Sequence, residues 1–181
     1  MASDFDVAAE DAQEAAELAE QARDAFGEDR ATAALPLIDR SLELDPTSFD
    51  AWSLKAKILV HLERGPEALE AVDRALAIVP NDYDALAEKS GILSMFANDL
   101  EGGLNVAQQA YAAMTAAVAP AQRSDPDGPD FWAVESVYDN LYYALYRLGR
   151  REEAANIRAE ASSFGHEFAE GVDDDDPTLS M

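Results

Sequence analysis

Residues Pro46 to Pro80 read PTSFDAWSLKAKILVHLERGPEALEAVDRALAIVP, and this stretch decides the fold. Its bounding prolines are 34 residues apart, and each follows an amphipathic run. Two helical patterns lie between them, separated by Glu63-Arg64-Gly65-Pro66. Small residues stand where two helices must touch: Ala56 on the first, Ala68 and Ala75 on the second. Ser48 is placed to cap the first helix, and Pro66 suits the first turn of the second, where a missing N–H costs nothing.

A step of 34 residues either way finds the pattern again. One column of anchors reads Leu18, Trp52, Leu86, and one of small residues reads Ala22, Ala56, Ser90. In the second helices the columns read Ala34, Ala68, Gly102 and then Ile38, Val72, Val106. A fixed period with one helix pair per unit is the signature of an α-solenoid, in which each pair buries its apolar face only by stacking on the next. Trp52-x-x-Lys55-Ala56-x-x-Leu59, then Ala68-x-x-x-Val72, then Pro80 resembles the tetratricopeptide repeat. It departs from the family pattern at Lys55 (leucine is usual), Ala56 (glycine), Leu59 (tyrosine) and Val72 (phenylalanine). The resemblance covers about 15–116 well and 135–165 weakly. It implies an all-α, right-handed α-solenoid of antiparallel helix pairs, with three good repeats and a degenerate terminal pair.

Taken in order, the chain divides into a helical domain over 1–165 and an acidic, disordered tail over 166–181. The repeats fall at about 15–48, 49–82 and 83–116. In the first, Asp29 is expected to cap the second helix, with Pro36 early in that helix. In the third, Asn98 with Glu101 three residues on reads as a capping box. Helical composition then continues to about Val118 and gives way to a turn-rich linker, 119–129, in an array whose other joints are tight. A last pair spans 130–165. Tyr142 falls in its small-residue column and Arg158 in the column of Ile38 and Val72, so this pair reads as the cap on an open solenoid end. The tail carries Asp173 to Asp176.

Composition narrows the function. The formal net charge is −24, from 37 acidic and 13 basic side chains. Such a balance argues against nucleic acid and against anionic membrane surfaces. The acid is spread along the whole chain, which favours adaptation to a high-salt cytoplasm over one acidic patch for a basic partner. The absence of cysteine removes disulfides and thiolate metal sites. The opening MASDFDVAAEDAQE has neither a basic n-region nor an apolar h-region, so a soluble cytoplasmic protein is expected. His61 and His166 are far apart in sequence, and His61 reads as a partly exposed or stacking residue rather than a base or ligand. Asp125-Pro126-Asp127-Gly128 lacks the ligand spacing of a calcium loop. No catalytic residue, cofactor or metal is expected.

The aromatic cluster Phe131, Trp132, Tyr138, Tyr142, Tyr143, Tyr146 reads mainly as core, with one or two tyrosines turned to a groove. The family resemblance implies a concave face lined by the first helix of each pair. In register, that face receives Arg23 and Phe26; Asp50, Ser53, Lys57 and Val60; Asp84, Ala87, Gly91 and Ser94; and Asp139, Tyr143 and Tyr146. Some family members clamp a C-terminal carboxylate with lysine, asparagine and arginine. Here only Arg23 and Lys57 are basic at those sites, so a clamp for the acidic tails of cytosolic chaperones is not expected. The role implied is a non-catalytic scaffold or adaptor holding a peptide or helix of a partner protein, with self-association left open. Arg23 and Lys57 would position an acidic or carbonyl-rich segment, with Val60, Tyr143 and Tyr146 as apolar contacts. The alternatives are a small acidic chaperone for an aggregation-prone or secreted client, and a helical accessory domain of an enzyme complex.

Overall fold

The computed structural model describes residues 4–126, 128 and 131–168. Its helices are α1 (Asp4–Gly27), α2 (Ala31–Leu44), α3 (Phe49–His61), α4 (Gly65–Ile78), α5 (Tyr83–Met95), α6 (Leu100–Ala117), α7 (Pro120–Arg123), α8 (Phe131–Arg147) and α9 (Arg151–Ser163). No strand occurs among the described residues. No described helix is long and apolar enough to cross a membrane. α1/α2, α3/α4, α5/α6 and α8/α9 are hairpins, and each of the first three stacks on the next through its second helix.

The stacking works because the contact points are small. Ala22, Ala56 and Ser90 are all fully buried, as are Ala34 and Ala68 opposite the first two. Ser90 remains polar without penalty, because its hydroxyl donates to the carbonyl of Gly103 at 2.8 Å. A period of 34 also places two ion pairs across successive joints: Lys55 meets Asp39 and Lys89 meets Asp73, each at 2.7 Å.

Each hairpin turns through one residue in the left-handed region, two positions before the next helix: Asp29, Glu63, Asn98 and Gly149. The following N–H closes the turn onto the outgoing helix, as Arg64 does on Leu59 at 2.9 Å and Arg150 on Leu145 at 2.9 Å. Asp29 therefore shapes the turn and does not cap α2. Arg30 takes the cap position and makes no side-chain bond there. Because α2 begins at Ala31, Pro36 stands in its second turn rather than its first. Ser48 does cap α3, accepting from Ala51 at 3.2 Å.

The third turn is one residue longer, and this shifts α6. Asp99 bonds back to Leu93, six residues earlier, where Arg64 reaches back five. The cap is Asp99, accepting from Gly102 at 2.9 Å, in place of the Asn98–Glu101 box. The two second-helix columns accordingly continue at Gly103 and Ala107, both buried, in place of Gly102 and Val106. A Cβ on Gly103 would lie 2.4 Å from the Ser94 hydroxyl and 3.2 Å from the Ser90 carbonyl, so α5 and α6 touch at a point only glycine fits.

The fourth hairpin is fastened by a polar knot that the repeats lack. Arg123, from α7 in the linker, is buried and donates to the carbonyls of Val118 (3.1 Å) and Thr115 (3.3 Å). Its guanidinium stacks on Phe164 and stands 3.7 Å from Glu160. Glu160 in turn accepts from Tyr111 (2.7 Å) and Tyr138 (2.9 Å). Burial and the Glu160 charge raise both phenols, Tyr111 to about 12. His166, expected in the tail, is instead buried. Its Nε2 lies 2.9 Å from the Arg123 carbonyl and its ring stacks on Phe131. Phe168 packs on Tyr142, so the ordered body runs at least three residues past 165. The rest of the expected tail lies outside the described residues.

Candidate functional site

The first helices of the last three pairs enclose a groove of about 500 Å³. α3 contributes Lys57 and Val60. α5 contributes Asp84, Glu88, Gly91, Ile92 and Met95, and α8 contributes Trp132, Ala133, Ser136 and Asn140. Asp84 and Glu88 share a face of α5 because they are one turn apart. Gly91 lets α8 approach: a Cβ there would come within 2.9 Å of the Asn140 side chain. Asn140 itself is held by a bond from its amide to the Ser136 carbonyl at 2.9 Å.

Charge and apolar surface are interleaved here. Lys57 pairs with Asp84 at 2.8 Å. Burial opposes the charge on Lys57, yet Asp84, Glu88 and Asp82 together hold its ammonium above the ordinary lysine range. The Glu88 carboxyl goes the other way. Burial, reinforced by Asp84 and opposed by Lys57, pushes it up to about 8. Trp132 is 75% exposed and Met95 59% exposed, the two most open large apolar side chains among the described residues. Open apolar area next to partly desolvated charge is the composition of a contact surface.

Of the expected groove residues, the structure brings together Lys57, Val60, Asp84 and Gly91. Arg23 lies on the exposed side of α1, paired with Glu20 at 2.5 Å, and does not reach Lys57's groove. Phe26 meets His61 edge-on at 5.7 Å, and the His61 side chain is half exposed beside that contact. Asp50 is exposed and Ser53 half-buried, and neither lines the groove. Ala87 and Ser94 are buried in the seam with α6 and α8. Asp139 stands nearer Glu135 and His166, where lost hydration and Glu135 raise its carboxyl to about 6, against the pull of His166. Tyr143 accepts from Arg147 at 2.5 Å. Tyr146 is buried beneath Arg151 and is not a groove contact.

The difference has one source. α8 has 17 residues where α3 and α5 have 13. Aligned at the hairpin turn, the surplus lies at its N-terminus and carries Trp132, which has no counterpart in the repeats. The groove uses that end of α8, so Trp132, Ser136 and Asn140 replace Asp139, Tyr143 and Tyr146. Register missed Glu88 as well, because it named Ala87 for that turn. The available signal was the Phe131-Trp132 pair, which stands just after a proline-rich linker and ahead of the tyrosines of the same cluster.

Comparison with known proteins agrees with this architecture. A tetratricopeptide repeat model matches residues 25–89. No curated protein matches the sequence. Among solved structures, MamA from Desulfovibrio magneticus RS-1 is similar over 83% of this chain and 75% of its own, with a TM-score of 0.67 and 16% identity. Pseudomonas aeruginosa PilF aligns with 84% of this chain and 61% of its own, at a TM-score of 0.68 and 16% identity. A Thermobaculum terrenum O-GlcNAc transferase aligns with 81% of this chain but only 24% of its own length, at a TM-score of 0.61 and 18% identity. Residues 25–89 carry the tetratricopeptide repeat signature, and the described residues form an all-α solenoid like those of these structures. At these identities the structural neighbours speak for the fold alone.

Proposed function

We propose that this protein is a non-catalytic interaction scaffold that holds a segment of a partner protein in the groove between α3, α5 and α8. The observation that carries the proposal is the pairing of Trp132 and Met95, both open to solvent, with the half-buried Glu88 and the Lys57–Asp84 pair on one concave surface. Aromatic anchors beside partly desolvated polar groups are where binding energy concentrates in protein interfaces. A helix or extended segment entering this groove would cover Trp132 and Met95 and gain their burial. Among the described residues, no group of three His, Asp or Glu side chains is placed to hold a metal ion.

The test is affinity capture from native lysate at physiological salt, comparing the wild-type chain with Trp132→Ala and Met95→Ser. Both positions are exposed, so the substitutions leave the hairpin packing intact. Loss of one stoichiometric partner with either variant supports the groove. Capture that is indifferent to both places binding elsewhere.

A further inference from the structure

Glu88 sets the chemical character of the groove. Its Oε2 is buried and has no hydrogen-bond partner. A carboxylate taken from water without a donor is unfavourable, so the empty groove holds an unmet demand for one. Lys57 does not meet it, because its ammonium is engaged with Asp84 at 2.8 Å. Ser136 and Asn140, on the α8 side, are neutral. The lining therefore carries two carboxyl groups against one ammonium.

We propose that the segment this groove accepts presents a lysine or arginine side chain among apolar residues, its cation directed to Glu88 and its stem laid along Trp132 and Met95. This rests on the reading that the groove binds a protein segment. A cation would supply the donors that Glu88 lacks, in a charge-assisted bond. The long stems of lysine and arginine cover apolar surface while their heads stay polar. Trp132 adds an open aromatic face for the same cation. The net charge of −24 steers a basic segment toward the protein at low salt. An acidic segment would meet Asp84 and Glu88 with the one nearby cation already neutralised.

The experiment displays a library of random twelve-residue peptides against the full chain and measures the recovered peptides by calorimetry. Recovered sequences are expected to carry a lysine or arginine flanked by apolar residues. Their affinity should fall about tenfold or more in Glu88→Gln and remain unchanged in Glu70→Gln, an exposed acid that controls for the general negative charge. Binding near pH 7 should release close to one proton from the groove, seen as a dependence of the heat on buffer ionisation, since the cation displaces the proton that Glu88 holds. Peptides that bind in a Trp132-dependent way but are acidic or uncharged overturn the cation and leave the scaffold standing. Peptides whose binding ignores Trp132 overturn both. Self-association abolished by Glu88→Gln would put a second copy of the chain in the groove and likewise overturn the proposal.

Discussion

The imidazole Nε2 of His166 meets the main-chain carbonyl of Arg123 at 2.9 Å, across 43 residues of sequence. The acceptor is a carbonyl, so Nε2 carries the proton and donates. This bond joins the segment after α9 to the linker before α8, and the Phe131 ring stacks on it at 4.8 Å. His166→Ala is therefore expected to lower unfolding free energy by about 2 kcal/mol, from a lost buried hydrogen bond and a cavity beside Phe131. Urea denaturation measures it. A change within error would mean that the knot does not hold the last hairpin.

Three of the four hairpin turns place a side-chain-bearing residue in the left-handed region, where only the fourth has glycine. Glu63 is exposed and forms no ion pair among the described residues, so its cost there is mainly conformational. Glu63→Gly should stabilise the protein by about 0.5–1 kcal/mol. Gly103→Ala should do the opposite by about 1–3 kcal/mol, because its Cβ would press on the Ser94 hydroxyl and the Ser90 carbonyl. Thermal melts of the two variants decide both.

Glu88 makes stability depend on pH. Its folded-state value, about 8, lies above its ordinary value of 4.5, so the folded chain binds this proton more tightly than the unfolded one. Stability from this group is full below about 4.5 and falls as pH rises toward 8. Glu88→Gln should flatten that decline and gain stability over wild type at pH 8, on the order of 1–3 kcal/mol. Chemical denaturation at pH 5 and pH 8 reads the difference. An equal effect at both values would remove the proton from the account.

Salt separates two electrostatic contributions of opposite sign. Exposed and half-exposed pairs such as Lys55–Asp39 and Lys89–Asp73 weaken as ions screen them, by about 0–1 kcal/mol each. The self-repulsion of a chain with net charge −24 is screened at the same time. We propose that repulsion dominates and that the acid is a salt adaptation, so the melting temperature should climb steeply from low to molar KCl. A flat profile would refute the adaptation.

The repeats were legible because Ala22, Ala56, Ser90 and their partners recur at a spacing that only stacked hairpins explain. The third turn was not, since one added residue between Leu93 and Asp99 leaves composition unchanged while moving Gly103 and Ala107 into the seam. The terminal pair was legible as a departure, through Tyr142 and Arg158, but the departure gave no geometry. Register carried past a linker of unknown path could not show that α8 gains a turn, and so it chose Tyr143 and Tyr146 over Trp132. His166 was read by its neighbours in sequence, an acidic run, while its partners Arg123 and Phe131 were more than thirty residues away.

Hydroxyl-radical footprinting of the purified protein with its captured partner tests the groove most directly, because it reads individual side chains. Oxidation of Trp132 and Met95 is expected to fall several-fold in the complex, while the exposed Ile78 and Val79 at the end of α4 are unaffected. Protection of Ile78 and Val79 with Trp132 still fully reactive would contradict the account.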